Sequence, residues 1–386
     1  MNELGVAIIG YKFMGKAHSN AWKNVSHFFD LNIQPVLKVA CGRNEGPLRE
    51  FADNWGWENI ETDWRNVIER DDVDIVDISV PQGLHHEIAI AAAKAGKHIF
   101  CEKPIALTVA QAKEMYDVAQ EAGVMHYLNH NYRRCPAVVL AKQLIDEGKI
   151  GRIFHWRGAY LQSWIVDPDF PLTWHLRKET AGSGPQGDLN SHSVDLARYL
   201  VGEIKSVMAM TAHFIQERPL PDEVAAGTFK GGTAGDETGE VTVEDAAFMV
   251  VEFENGALGS FEATRFATGR KNYNSFEIYG SQGSLIFNLE RMNELQFFSQ
   301  DDPEYAQGFR TIVATEPVHP YIANWWPPGH IIGYEHEFHH AVSDFLCAID
   351  KEEQIEPNFY DGMKEMQVLE AGLLSAETGQ RVVLNA

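Results

Sequence analysis

The stretch VAIIGYKFMG (residues 6–15) predicts the fold of the first part of the chain. Its apolar run is typical of a buried strand, and the residues from Phe13 onward have the pattern of a helix. A glycine turn between such a strand and a helix is typical of a dinucleotide-binding loop, in which the helix N-terminus faces a pyrophosphate. Gly10 and Gly15 match the first and last glycines of G-x-G-x-x-G, but Lys12 replaces the second, so a plain strand-to-helix turn stays possible. If the loop binds a pyrophosphate, we predict that the backbone of residues 13–15 holds it and that the Lys12 side chain turns outward.

Strand and helix patterns continue to alternate up to about residue 130. Further strands are predicted at residues 35–42, 73–81 and 97–104, and helices at residues 84–96 and 108–123, the last with Thr108 as its N-cap. Short strands that alternate with helices imply right-handed βαβ units and a parallel, doubly wound sheet. We therefore predict an α/β protein with an N-terminal Rossmann domain over residues 1–130.

The pattern changes after about residue 130. Long alternating segments, with turns at Asn255-Gly256 and Gln282-Gly283, predict an antiparallel meander. One helix is predicted at residues 191–200 and more between about 334 and 377, while the Gly-rich, acidic residues 223–241 are predicted to form a surface loop. Residues 131–386 are therefore predicted to form an α+β domain with a large open, mainly antiparallel sheet.

The bulk properties exclude several kinds of partner. The net charge is -23, from 32 Lys+Arg against 55 Asp+Glu over 386 residues, which argues against nucleic acid or an anionic membrane. The four cysteines have no C-x-x-C spacing and fit free thiols in a reducing compartment. We find no basic leader and no apolar run of about 18 residues, so we expect a cytoplasmic protein.

The end of the second predicted strand, ACGRN (residues 40–44), bears on the cofactor. The dinucleotide fingerprint places an acid there to bind the ribose 2′-hydroxyl, and this strand has none. Arg43 could pair with a 2′-phosphate, Asn44 could serve an unphosphorylated ribose, and Arg43 could equally be an exposed turn residue. NAD and NADP both remain open.

Three further stretches offer chemistry. CEKP (residues 101–104) lies at the carboxyl end of a predicted parallel strand, where open α/β sheets bind ligands. Asp188 and His192 are four residues apart, which places them on one face of a helix as a base with a neighbouring carboxylate. NYRR (residues 131–134) lies at the predicted domain junction. Each stretch alone is also compatible with a structural role.

Together these stretches resemble the Gfo/Idh/MocA oxidoreductases over nearly the full chain. The matching pieces, in the order and spacing of that family, are VAIIGxxxMG, VDIVDISVPQGLHHEIAIAAAKAGKHIFCEKP, NYRRCPA, GKIGRI and GDLNSHSVDLARYLVG. The resemblance implies that hydride passes between NAD or NADP and a secondary hydroxyl, with His192 as base, Lys103 stabilising the alkoxide and Asp188 orienting these groups or binding a neighbouring hydroxyl.

The resemblance also implies which residues bind the ligands. The cofactor residues would be Gly10, Phe13, Met14, Gly15, Arg43, Pro81, His85, Glu102, Lys103 and Asn131. The substrate residues would be Lys103, Tyr132, Arg133, Gln162, Trp164, Trp174, Asp188 and His192, with Tyr160 nearby and Arg265 and Asn272 as weaker candidates. Aromatic faces and amides are the groups that a sugar site uses.

Within the family, YLQSWIVDPDFPLTW (residues 160–174) and EATRFATGRKNYNSFEIYG resemble sugar dehydrogenases that oxidise a pyranose C3 hydroxyl. A pyranose, anhydrosugar or glycoside is therefore the expected substrate. Inositol oxidation and redox-neutral glycoside cleavage with retained cofactor remain alternatives. A non-catalytic regulator is disfavoured, because Lys103, Asp188 and His192 are all present. The resemblance further suggests a homodimer or homotetramer, since an apolar sheet face needs covering.

The segment YEHEFHHAV contains the H-E-x-x-H pattern of zinc proteases, at His336 and His340. On a helix, Phe338, Val342 and Phe345 form an apolar stripe, and the two histidines are predicted to face away from it. No third ligand follows at a recognisable spacing, so we predict no metal site.

Overall fold

The computed structural model describes residues 2–221 and 234–384. These residues divide into two compact units. The first contains residues 2–131 and 334–366, and the second contains residues 132–221, 234–333 and 367–384. In these described residues, no helix combines the length and the apolar character needed to span a membrane.

The first unit contains a parallel sheet with alternating helices. Its elements are β1 (Asn2–Ile9), α1 (Phe13–Phe28), β2 (Ile33–Cys41), α2 (Glu45–Trp55), β3 (Asn59–Glu61), α3 (Trp64–Ile68), β4 (Ile75–Ile78), α4 (His85–Lys94), β5 (His98–Glu102), α5 (Val109–Ala122) and β6 (His126–Asn129). The strand order is β3-β2-β1-β4-β5-β6, and every pair is parallel. The predicted Rossmann sheet is confirmed. The order reverses between β1 and β4, so the ligand crevice of such a sheet lies at the loops that follow these two strands.

Local sequence signals explain where the helices of this unit begin and end. The Thr108 side chain accepts a hydrogen bond from the backbone N–H of Gln111 at the start of α5. Gly123, with φ 66°, ends the same helix in the left-handed conformation. The N-cap prediction for Thr108 is confirmed.

The second unit contains a nine-stranded sheet covered by short helices. Its elements up to residue 333 are α6 (Pro136–Asp146), β7 (Ile153–Leu161), α7 (Lys178–Ala181), α8 (Pro185–Asp188), α9 (Asn190–Leu200), β8 (Ile204–Ala212), β9 (Glu217–Pro221), β10 (Ala234–Glu240), β11 (Ala246–Phe253), β12 (Leu258–Thr264), β13 (Tyr273–Gly280), β14 (Gly283–Asn288), β15 (Glu294–Ser299) and β16 (Arg310–Val313). The chain continues with α10 (Tyr334–Lys351), α11 (Phe359–Thr378) and β17 (Val382–Val383).

The large sheet is mainly antiparallel, as predicted, but it is not a simple meander. Its order is β16-β15-β14-β13-β7-β12-β11-β8-β17. β7 lies between β12 and β13 and pairs parallel with β12. An early strand thus enters the middle of the sheet, which a pattern read in chain order does not reveal.

The loop prediction for residues 223–241 needs correction in part. Residues 234–240 form β10, which pairs antiparallel with β9. Residues 223–233 lie outside the described residues.

The helix α10 belongs to the first unit, although the predicted division assigned it to the second domain. Phe338, Val342 and Phe345 join the core of the first unit. The ring of Phe345 contacts Phe100 of β5 and Trp22 of α1, at centroid distances of 5.5 and 6.4 Å. The predicted boundary at residues 130/131 is one residue from the observed break after Asn131, but residues 334–366 return to the first unit. The helices α1 and α10 pack together although some 300 residues separate them in the sequence. A local sequence pattern does not reveal a contact between such distant residues.

Candidate active site

The glycine loop after β1 has two positions at which no side chain fits. Gly10 has φ +117°, and a Cβ there would lie 2.4 Å from the carbonyl oxygen of Ser79. A Cβ on Gly15 would lie 2.3 Å from the carbonyl oxygen of Gly10. The loop therefore packs closely against the end of β4 and against α1, as the first and last glycines of a dinucleotide loop require. This cradle fits the pyrophosphate of a dinucleotide.

Lys12 has a negative φ of -85°, so its position does not need the left-handed conformation that favours glycine. Its side chain is exposed and makes no capping hydrogen bond to α1. The first N–H groups of a helix have no intrahelical partner, so the first turn of α1 can donate to an anion. The exposed side chain fits the prediction that Lys12 turns outward; Phe13, in that turn, is 41% exposed.

The rim at the end of β2 has a carboxylate that the sequence analysis missed. Glu61, the last residue of β3, is the Cα partner of Cys41. Burial, together with the charges of Glu61 and Asp63, raises the pKa of Cys41 to about 12. The fingerprint predicts an acid on the second strand itself, whereas here a carboxylate lies on the neighbouring strand. Glu61 could not be placed at this rim from the sequence, because the pairing of β2 with β3 is seen only in the structure.

His85 links the two loops that follow β4 and β5. Its ring nitrogens lie 2.9 Å from the carbonyl oxygens of Val80 and Pro104. The ring is 1% exposed, and burial lowers the pKa of His85. A buried imidazole at this place links the loops of Pro81 and Lys103, so its ring offers almost no exposed surface to a cofactor.

Glu102 also faces the protein interior. Its Oε1 lies 2.8 Å from Nε2 of His18 and accepts a 2.6 Å hydrogen bond from Asn129. With 5% of its surface exposed, the side chain does not fit the predicted contact with a cofactor. Lys103 follows it directly, at the carboxyl edge of the sheet where the prediction placed it.

Asn131, a predicted cofactor residue, donates a 2.7 Å hydrogen bond to Oε2 of Glu337 on α10. Glu337 is the acid of the H-E-x-x-H pattern. The prediction that both histidines of this pattern face away from the core is wrong for His340, which is fully buried, with its ring 6.0 Å from that of Phe29. The helical-wheel argument used one apolar stripe, whereas most of the first three turns of α10 is buried.

Burial raises the pKa of Glu337 well above its usual value, and the hydrogen bond from Asn131 only partly opposes this. An acid whose pKa is higher in the folded than in the unfolded state stabilises the fold while it is protonated. This contribution to the free energy of unfolding is lost as the pH rises through the folded-state pKa. We expect Glu337→Gln, which stays neutral, to become progressively more stable than the parent as the pH rises above 4.5. Glu337→Ala is the control and should lose about 2 kcal/mol, because Asn131 loses its acceptor. Urea unfolding between pH 5 and 9 measures both, and a Gln variant that is less stable than the parent at every pH contradicts the expectation.

In the second unit, His192 packs against two tyrosines. Its ring centroid lies 4.4 Å from that of Tyr132 and 5.7 Å from that of Tyr160. The two tyrosine hydroxyls are 3.0 Å apart. His192 lies in the first turn of α9, and Asp188 ends the short α8 just before it, so the predicted spacing falls across two consecutive helices. The aromatic contacts fix the plane of the imidazole.

Asp188 is held by Arg265. Arg265 donates a 2.7 Å hydrogen bond to Oδ2 of Asp188. The Arg265 side chain is 1% exposed, while that of Asp188 is 34% exposed. The guanidinium also lies over the ring of Trp164, at 5.3 Å. A buried cation thus fixes a carboxylate that solvent or a ligand can still reach.

Asn272 connects several predicted substrate residues. Its Oδ1 accepts hydrogen bonds from Tyr160, at 2.7 Å, and from Gln162, at 3.0 Å. The indole N–H of Trp164 donates to Gln162 at 2.8 Å. The sequence analysis named Asn272 only as a weaker candidate, and it lies 110 residues from Gln162 along the chain. The network makes it a central residue of this group.

Two other predicted substrate residues differ in accessibility. Arg133 is 2% exposed and forms a two-point ion pair with Asp195, with bonds of 2.7 to 3.0 Å. The prediction that Arg133 binds substrate does not fit this buried pair, which ties Arg133 to α9. Trp174 is 40% exposed and stacks on His175 at 3.7 Å, so its outer face is open to a ligand.

The predicted residues thus fall into two groups. The first unit contains Gly10, Phe13, Met14, Gly15, Arg43, Pro81, His85, Glu102, Lys103 and Asn131. The second unit contains Tyr132, Arg133, Tyr160, Gln162, Trp164, Trp174, Asp188 and His192.

Comparison with known proteins identifies relatives of this chain. Residues 4–130 match the family model "Oxidoreductase family, NAD-binding Rossmann fold", and residues 138–286 match the "GFO/IDH/MocA C-terminal domain". The chain is 46% identical to levoglucosan dehydrogenase of Pseudarthrobacter phenanthrenivorans over 97% of both chains. Its fold matches a levoglucosan dehydrogenase in complex with NADH and levoglucosan, with TM-score 0.94 and 44% identity over the full length of both. An oxidoreductase domain protein from Kribbella flavida matches equally well, with TM-score 0.94 and 47% identity over the full length of both.

Proposed function

The chain belongs to the Gfo/Idh/MocA oxidoreductase family, and from this premise we propose that it is a dehydrogenase that transfers hydride between NAD and a secondary hydroxyl of a sugar. We propose that the reaction takes place at C3 of a pyranose or anhydrosugar. Levoglucosan is the first candidate substrate, because a relative of this chain is named levoglucosan dehydrogenase. The observation that carries the proposal is Asp188, a carboxylate fixed by buried Arg265 yet one third exposed, with His192 four residues on. Trp174 and the Gln162–Asn272 group add the aromatic face and amides that sugars bind.

For the cofactor we propose NAD rather than NADP. A levoglucosan dehydrogenase of the same fold binds NADH. In this chain, Glu61 and Asp63 add negative charge next to Cys41 at the end of β2. A 2′-phosphate in this region would be repelled by these carboxylates, while ribose hydroxyls could donate hydrogen bonds to one of them. The positive charge of Arg43 is therefore not enough to make the site prefer NADP over NAD.

The chain's own residues supply binding and proton transfer in this reaction. The Gly10–Gly15 cradle and the first turn of α1 hold the pyrophosphate. NAD, when bound, supplies the hydride acceptor. His192 takes the proton of the reacting hydroxyl, the positive charge of Lys103 stabilises the alkoxide that develops, and Asp188 binds a neighbouring hydroxyl.

A substrate screen tests the proposal. Purified protein with NAD or NADP is incubated with levoglucosan, glucose, inositols and aryl glucosides, while the absorbance of the reduced cofactor is followed. We expect reduction of NAD with levoglucosan or a related pyranose, and the highest kcat/KM with NAD. Cleavage of an aryl glucoside without any absorbance change would assign the redox-neutral reaction instead. Failure of every sugar and polyol to react contradicts the enzyme proposal.

We further propose that the open face of the large sheet forms the interface of a homodimer or homotetramer. Met208 and Met210 on β8 and Phe248 and Val250 on β11 are paired across the strands and are 48 to 75% exposed. Adjacent apolar side chains of this kind mark an association surface.

The double variant Met210→Glu/Val250→Glu places two charges in this patch. We expect the assembly to dissociate to monomer at micromolar concentration, because a buried unpaired charge weakens association by several kcal/mol. Light scattering after gel filtration measures the mass. Tyr305→Glu, at a 94% exposed side chain of the same unit, is the control. An unchanged mass of the double variant contradicts the proposed interface.

We also propose a cytoplasmic location. Among the described residues, Cys41, Cys101, Cys135 and Cys347 form no disulfide, and the first three are buried. Free thiols are usual in a reducing compartment.

A further inference from the structure

A buried charged cluster, here called the His18 triad, consists of His18, Asp77 and Glu102. Nδ1 of His18 lies 2.8 Å from both carboxylate oxygens of Asp77, and Nε2 lies 2.8 Å from Oε1 of Glu102. His18 and Asp77 are fully buried, and Glu102 is 5% exposed. None of these three groups has a role in the mechanism proposed above. Glu102, however, is the residue directly before Lys103.

The imidazole of the triad is protonated. A neutral imidazole has only one N–H, so it cannot donate to two carboxylates at once. Burial alone would lower the pKa of His18, but the charges and hydrogen bonds of Asp77 and Glu102 outweigh it and raise the pKa to about 10. Burial likewise would raise the pKa of Glu102, yet His18, with Asn129 and Lys103, lowers it. The triad therefore has an imidazolium between the acidic side chains of Asp77 and Glu102.

The triad connects the cofactor loop to the strand that leads to Lys103. His18 lies on α1, one turn after Gly15, while Asp77 lies on β4 and Glu102 ends β5. Two neutral donors complete the cluster. Trp22 of α1 donates to Asp77, and Asn129, the last residue of β6, donates to Glu102, both at 2.6 Å. The carboxyl ends of β5 and β6 and the start of α1 are thus held through one imidazolium.

A buried ionic cluster of this kind is a poor way to gain stability. Replacing such groups with well-packed apolar residues is often neutral or stabilising, because desolvation opposes the attraction between the charges. What the triad provides is a fixed position and a fixed charge for Glu102. On the basis of the proposed function, we propose that His18 is a positioning residue for catalysis, which holds the Glu102 carboxylate and thereby fixes the strand end that carries Lys103.

The groups that bear on the charge of Glu102 come from several elements. They are His18 of α1, Asp77 of β4, His85 of α4, Asn129 of β6, and the adjacent Cys101 and Lys103. Of these, His18 is both the nearest cation and the first contributor that keeps Glu102 ionised. Without it, burial dominates, so Glu102 takes up a proton at a higher pH than in the parent.

The variant His18→Gln tests the proposal, because the amide is neutral and its single nitrogen can face only one of the two carboxylates. We expect kcat for sugar oxidation to fall about 30- to 100-fold, since a small displacement of a catalytic group has an effect of this order. The sugar KM and the Kd for NADH, measured by fluorescence, should stay within about threefold. Every protein that keeps His192 loses kcat towards low pH, because this base takes up a proton. His18→Gln should show a further decline beyond that of the parent, where Glu102 becomes protonated. In the double variant His18→Gln/Glu102→Gln this further decline should be absent while kcat stays low.

His126→Gln is the matched control. His126 is a buried histidine of the same unit, and burial lowers its pKa to about 4, so it is neutral. Its loss should lower the melting temperature but leave kcat within about threefold of the parent. The proposal is overturned if His18→Gln loses no more kcat than His126→Gln, if NADH binding weakens as much as kcat, or if the double variant recovers the parent's kcat.

Two further measurements keep the test decisive. If His18→Gln does not fold, Asn129→Ala removes a donor from the same oxygen of Glu102, and an unchanged kcat in that variant overturns the proposal. The parent is assayed first. A parent that oxidises no sugar contradicts the proposed function, whereas an active parent with a fully active His18→Gln variant contradicts only the positioning role.

Discussion

The variant Lys103→Met is expected to lose about 10³-fold of kcat in sugar oxidation while it still binds NADH. The reason is electrostatic: removal of a group that stabilises a developing oxyanion has an effect of this size. Methionine keeps most of the side-chain volume, so the loss reports the charge rather than a cavity. Stopped-flow measurement of NADH formation under single-turnover conditions separates this step from product release.

Lys97→Met is the matched control for this variant. Lys97 precedes β5, at the end opposite to Lys103, and its Nζ donates to the carbonyl oxygens of Arg70 and Val73, at 2.8 and 2.7 Å. Its replacement removes structural hydrogen bonds and should lower the melting temperature without a large change in kcat. If Lys103→Met retained activity within tenfold of Lys97→Met, the catalytic assignment of Lys103 would be wrong.

The fold of the first unit could be predicted because its signals are local. A buried strand, a glycine turn and an amphipathic helix follow one another within about 25 residues at the start of the chain, and the pattern repeats up to β6. The position of Lys103 at a strand end follows from the same pattern, since the carboxyl ends of parallel strands share one edge. Lys12 is compatible with the loop because its φ is negative, so the middle position does not need the left-handed conformation that favours glycine.

The parts that sequence reasoning missed all depend on contacts between distant residues. His18 meets Asp77 and Glu102 across 59 and 84 residues, and in the sequence it is a lone histidine on a helix. Glu61 adds its charge to the rim of β2 only because β3 pairs beside that strand.

The side-chain roles were harder to predict than the elements that carry them. Arg133 lies in a motif shared with the family, but its pairing with Asp195 is visible only in three dimensions. Asn272 is similar, because two of its partners lie on or next to β7. A motif thus identified the region, while burial and hydrogen bonds decided which side chains a ligand can reach.

The variant His192→Ala is expected to lose about 10²- to 10⁴-fold of kcat at neutral pH, the range for loss of a positioned base. In the parent, His192 must be deprotonated to act as the base, so kcat/KM depends on its titration. That pH dependence should disappear in the variant, because alanine does not titrate. Removal of the ring also leaves a space against Tyr132, whose centroid lies 4.4 Å from that of His192. Added imidazole can occupy this space, so we expect it to restore part of the rate, which a purely structural role of the ring would not permit. His155→Ala, at an exposed histidine on β7, is the control and should keep the parent's kcat and pH profile. A His192→Ala variant with the parent's pH profile and no response to imidazole would remove His192 from the mechanism.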